Sequence, residues 1–215
     1  CDHGANVDTT NMFGDTPLHE ASTYGHLELV KYLIKEHGAN VEAKTKSGDT
    51  PLHFASKHVH LEVVRYLVEQ KGVDVEAKTN NGWTPLHYAS LWGYLEVIQC
   101  LVDHGANVDA PDNEGLTPLH HTCRSPFQNL HRFRQLEVVQ FLVDKGAHVE
   151  AKDKGDSTPL HKASYHGKLK VVHYLCDHGA NVEGQDKNGS TALHFASERS
   201  HLKVVQYLVK ERGAN

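Results

Sequence analysis

Residues 50–83 read TPLHFASKHVHLEVVRYLVEQKGVDVEAKTNNGW, and residue 84 starts TPLH again. The tetrapeptide begins at Thr16, Thr50, Thr84, Thr117 and Thr158, with TALH at Thr191, so the steps are 34, 34, 33, 41 and 33 residues. A second marker, glycine followed by Ala-Asn or a near variant, sits at Gly4, Gly38, Gly72, Gly105, Gly146, Gly179 and Gly213. Two independent markers that keep one period establish an internal repeat, and the repeat governs every later reading.

Within one unit, Thr-Pro is a helix start, because a threonine hydroxyl can cap and proline suits the first helical position. TPLHxAS then forms a short first helix, broken by a glycine at Gly25, Gly93 or Gly167. The second helix carries L-x-V-V-x-x-L-V, as in Leu61, Val63, Val64, Leu67 and Val68, a spacing that lines one helical face with aliphatic side chains. The GANV glycine supplies a left-handed residue after that helix. The polar stretch that follows ends at Gly14, Gly48, Gly82, Gly115 or Gly189 and reads as a turn or hairpin. One such unit cannot bury its apolar face alone, so its neighbours must stack on it.

These residues resemble the ankyrin-repeat family, whose signature is T-P-L-H-x-A at a period near 33. The resemblance covers essentially the whole chain. It implies an all-α solenoid of helix-turn-helix units with β-hairpin or turn fingers, about six repeats plus partial terminal units. The expected division is a partial unit 1–13, repeats 14–47, 48–81, 82–114 and 115–155, then 156–188 and a truncated 189–215. Repeat 4 departs most, with eight extra residues between Cys123 and Leu136. Val59 and Ser200 replace the glycine after the first helix, and repeat 5 puts Asp156 at the turn, with Gly155 before it. The start at Cys1 and the stop at GAN in mid-pattern are what a piece of a longer protein would show.

Composition limits the function classes. Hydrophobic residues make up 39% and charged residues 23%, the profile of a folded chain, and no apolar run is long enough to span a membrane. A formal net charge of −5 argues against nucleic acid as the main ligand. Cys1, Cys100, Cys123 and Cys176 form no CxxC and no framework, which suits a reducing, intracellular setting. Cys100 and Cys176 read as small apolar core or near-core residues. No phosphate loop, nucleophile elbow or nucleophile–base motif is present, so neither catalysis nor a cofactor is expected.

The 19 histidines need no metal. By the resemblance, His19, His53, His87, His120, His161 and His194 are structural, bonding the threonine hydroxyl and nearby backbone. His26, His60 and His201 open the second helix, and His3, His37, His104 and His178 precede the closing glycine. The best metal candidate, His120, His121 and Cys123 with His131, is too loosely spaced for a zinc site.

The family's usual contact positions are the finger tip, the residue before TPLH and the pair before the glycine that ends the first helix. They select Met12 and Phe13, Tyr24, Trp83 and Leu116, Leu91 and Trp92. Both tryptophans of the chain fall in repeat 3, where sister repeats mostly carry polar residues. The alternative is that they cover the core. The insertion Arg124 to Gln135, RSPFQNLHRFRQ, adds Arg124, Arg132 and Arg134 without an acid, and fits an acidic or phosphorylated partner if it is more than a tolerated loop. The expected function is non-catalytic protein–protein recognition by a monomer. The alternatives are the recruiting segment of a larger enzyme, adaptor or effector, nucleic-acid binding through the arginine loop and finger lysines, and a structural spacer.

Overall fold

The threonine of each TPLH motif is extended and the proline after it begins a helix. Thr16, Thr50, Thr117, Thr158 and Thr191 have φ between −97 and −86 and ψ between 166 and 172. The computed structural model describes residues 6–125 and 134–214. Among the described residues are twelve helices: α1 Pro17–Thr23, α2 Leu27–His37, α3 Pro51–Lys57, α4 Leu61–Val68, α5 Pro85–Trp92, α6 Leu95–Asp103, α7 Pro118–Arg124, α8 Arg134–Asp144, α9 Pro159–Tyr165, α10 Leu169–Asp177, α11 Ala192–Glu198 and α12 Leu202–Arg212. Odd-numbered helices follow TPLH or TALH, and even-numbered helices carry the aliphatic stripe.

Left-handed residues end the first helices as expected, with Gly25 at φ 69, Gly93 at 75 and Gly167 at 67. Val59 and Ser200 adopt the same conformation at φ 66 and 57, and Asp156 takes φ 60 in its turn. The fold therefore holds these non-glycine residues where only glycine is comfortable.

The fingers are turns, and the described residues contain no strand. In each, the chain folds back so that Asn11, Thr45, Thr79, Asp112, Asp153 or Asp186 donates its N–H to the carbonyl four residues on, at 2.9 to 3.1 Å. The same side chains accept in return from the backbone N–H at that position. Short Asx and threonine side chains mimic a backbone turn in this way. Successive finger tips are joined by one backbone bond: Lys46 N–H to Phe13 O at 3.0 Å, Asn80 to Ser47 at 2.8 Å, Lys154 to Glu114 at 2.8 Å and Lys187 to Gly155 at 2.9 Å. A Cβ on Gly14 or Gly48 would lie 2.8 or 2.9 Å from the next finger's backbone nitrogen, so glycine serves conformation and clearance together.

The chain forms two compact units, Cys1–Ala89 with Glu96–Asn107, and Ser90–Leu95 with Val108–Asn215. In the first, α1 packs on α2 and α3, α3 on α4, and α2 on α4. Leu18, Leu52, Leu67, Ile98 and Leu101 are fully buried there. In the second, α9 packs between α7 and α11, each first helix packs on its own second helix, and α10 touches α8 and α12. Its core includes Leu119, Leu142, Leu160, Leu175 and Leu208. Burying such side chains is the main favourable term in folding.

Polar bonds between repeats fix the stacking register. The acidic residue after each repeat's valine accepts from a backbone N–H in the next repeat: Asp8 from Asn40, Glu42 from Asp74, Glu76 from Asn107, Asp109 from His148 and Glu150 from Asn181, all between 2.9 and 3.1 Å. The residue before the second helix reaches the other way. His60 Nε2 donates to Thr23 O at 2.8 Å, His201 Nε2 to Tyr165 O at 2.9 Å, and Lys168 Nζ to Ser125 O at 2.6 Å.

Candidate functional site

The six motif histidines share one hydrogen-bonding pattern. The backbone N–H of each motif threonine donates to the histidine Nδ1 at 3.0 to 3.2 Å. Nδ1 must then be unprotonated, which places the ring hydrogen on Nε2. From there His19 donates to Asp49 O, His53 to Trp83 O, His120 to Ser157 O and His161 to Gly184 O, each at 3.0 or 3.1 Å. Burial holds His19, His53 and His161 below the ordinary imidazole value and pushes His120 down to about 4. A cation there would be desolvated and would lose its acceptor at Nδ1.

The residue after the histidine completes the arrangement in two ways. Phe54, Tyr88 and Phe195 stand edge-on to His19, His53 and His161 of the preceding repeat, at 5.4 to 6.0 Å between centroids. In repeats 4 and 5 this position instead bonds its own finger, His121 to Asp112 at 3.0 Å and Lys162 to Asp153 at 2.7 Å. The Asp112–His121 pair is buried, and neither residue stood out in the sequence for this role.

Among the described residues no group of three or more histidines, cysteines or carboxylates is placed to hold a metal. His131 and Cys1 lie outside the described residues. Cys123 is fully buried, and burial pushes its thiol up to about 12. Burial also raises the thiols of Cys100 and Cys176. All three are neutral near pH 7 and poor nucleophiles.

The candidate contact residues fall into three groups. Met12, Phe13 and Tyr24 are 75%, 63% and 65% exposed, large apolar side chains that the stack leaves in water. Trp83, Leu91 and Trp92 are half-buried. The Trp83 ring lies 4.9 Å from Tyr88 and 6.3 Å from His87, and Trp92 is nearly parallel to Tyr94 at 6.5 Å. Leu116 differs from the open position expected of it and is buried at 6% exposure. Asp49 and Ser157, at the same position before TPLH and with their carbonyls accepting from His19 and His120, are buried as well, whereas Trp83 there stays half-buried. Arg132 lies outside the described residues, and Arg134 is placed only as the first residue of α8.

Arg124 closes α7 and borders an open cavity of about 540 Å³ in the second unit, together with Leu91, Lys162, Tyr165, His166 and Phe195. Most of its walls are first-helix residues of successive repeats. No helix among the described residues is long and apolar enough to cross a membrane.

A family model described as ankyrin repeats (3 copies) matches residues 1–79, 71–153 and 130–215. No curated protein matches the chain.

Proposed function

The chain belongs to the ankyrin-repeat family, and from that membership we propose that it is a monomeric protein-recognition module with no catalysis of its own. The observation that carries this reading is the exposure of Met12, Phe13 and Tyr24. The recurring histidines His19, His53, His120 and His161 and the recurring acidic residues after each valine are occupied by cross-repeat bonds. These three do not recur, make no core, and present apolar area to water at one finger and the adjacent helix end, where a partner could cover it. Trp83 adds a half-buried aromatic anchor in the same unit, and the cavity beside Arg124 gives the second unit a concave site.

A tagged chain in extract of the cells that make it should retain a protein partner. The double variant Phe13→Ser and Tyr24→Ser should lose that partner while keeping its unfolding midpoint. Undiminished retention by the folded variant would refute the assignment of these residues.

A further inference from the structure

We propose that the cavity of the second unit receives an aspartate or glutamate side chain of an extended partner segment beside Arg124 and Arg199, with the segment's adjacent apolar side chain against Leu91, Tyr165 and Phe195. This deepens the recognition reading and rests on it. The cavity, at about 540 Å³, lies in the usual range for ligand sites and is open enough to admit a chain from solvent.

The charge arrangement points to an anion. Four cations surround this spot, and two of them are already satisfied. Lys162 is held by Asp153 at 2.7 Å. Lys168 is half-buried, with its Nζ donating to Ser125 O at 2.6 Å and Thr122 O at 3.4 Å. Arg124 lines the cavity, and the guanidinium of Arg199 lies 4.5 Å over the ring of Tyr165, another lining residue. Neither arginine has a carboxylate partner among the described residues. Half-buried Arg124 on the cavity wall and exposed Arg199 above Tyr165 are thus two guanidinium groups without a carboxylate, on a chain whose net charge is −5.

His166, on the cavity wall, reports the resulting field. Burial, then the charges of Lys168, Arg124, Arg199 and His201, push its imidazole down to about 4. These four groups all repel a proton on that ring, so an anion in the cavity removes repulsion as well as adding attraction.

The choice of a carboxylate follows from the remaining donors. With both lysines engaged, what is left is guanidinium forks, each of which matches the two oxygens of one carboxylate. A phosphate would bring a third oxygen and a second charge against Leu91 and Phe195, which offer no donor. The same apolar walls suit the aliphatic or aromatic neighbour of an acidic residue.

The test uses the whole chain and the capped peptide acetyl-Leu-Glu-Glu-Phe-amide, followed by NMR of the His166 and Tyr165 rings. Those resonances should move saturably, and His166 should titrate at higher pH once the peptide is bound. The glutamine counterpart should bind about tenfold more weakly or worse, as should the wild-type interaction in high salt. Arg124→Ser with Arg199→Ser, both on side chains outside the core, should abolish the glutamate preference and leave the unfolding midpoint in place. Equal binding of the glutamine peptide, no ring shifts at all, or a phosphoserine peptide that binds where the glutamate peptide does not would each overturn the proposal. Failure here would leave partner retention through Phe13 and Tyr24 intact, whereas failure of the recognition reading would abolish that retention without touching the peptide response.

Discussion

Acid should loosen the stack through its motif histidines before any carboxylate contact is lost. The His120 imidazole is held at about 4 against an ordinary value of 6.5. The sign follows from the depressed value. The unfolded chain binds this proton first, so stability is complete above about pH 6.5 and is lost as pH falls toward the folded value. The full window of about 2.5 units corresponds to roughly 3.4 kcal/mol, of which about 2 kcal/mol is gone by pH 5. His19, His53 and His161 shift in the same direction for the same cause. Each adds up to about 1.4 kcal/mol per pH unit within its own window, so their sum is a large share of a domain's stability. His58, His121 and His166 also lie low and add to the slope, while the raised carboxyls of Glu42 and Glu76 oppose it. Urea unfolding at closely spaced pH values gives the net slope, and NMR titration of the His120 ring isolates its own contribution. A flat unfolding free energy between pH 6.5 and 5, or a His120 ring that titrates near 6.5 in the folded chain, would refute the account of why these rings are neutral.

Three further outcomes are expected. Val59→Gly should raise stability by about 1 kcal/mol, because a β-branched residue is strained at φ 66 and Val59 is exposed enough to lose little burial; an unchanged or lower urea midpoint would count against this. Gly48→Ala should lower stability by more than about 1 kcal/mol, since its Cβ would lie 2.9 Å from Asn80 N at φ 84; an unchanged urea midpoint would show that the finger bond is dispensable. Trp83→Ala should weaken partner binding about thirtyfold, or 2 kcal/mol, with a stability loss well short of the roughly 3–5 kcal/mol of a core tryptophan; isothermal titration beside thermal unfolding separates the two, and a large stability loss with normal binding would make Trp83 core cover.

Periodicity made much of the fold legible. The helix starts at TPLH, the aliphatic stripes and the glycine turns can be read within one repeat, since each depends on residues close in sequence. Val59 and Ser200 show a limit, because they look like lost glycines yet keep the glycine conformation. The bonds from Glu42 to Asp74 and from Glu76 to Asn107 were not legible, because they join residues about thirty apart and the acidic side chain alone says nothing of its acceptor role. Leu116 misled for a related reason. Its position reads as surface within its own repeat, while in the folded chain Leu116 itself is enclosed. The charges around His166 come from residues 124, 168, 199 and 201, in three different repeats. No local pattern could have assembled them.

The cross-repeat bonds have one consequence for how such a chain can change. The motif histidines and the acidic residues after each valine end on carbonyl oxygens and amide nitrogens of the neighbour, and the finger tips pair backbone to backbone. A main-chain atom is the same whatever side chain stands beside it. For these bonds, each repeat therefore supplies its own half of the joint and asks of its neighbour only a correctly folded backbone. As far as these bonds are concerned, units can be copied, lost or exchanged without a matched mutation across the seam. Substitutions at Met12, Tyr24, Trp83 or Arg124 are left to follow whatever surface they meet, and recognition can drift while the scaffold stays fixed.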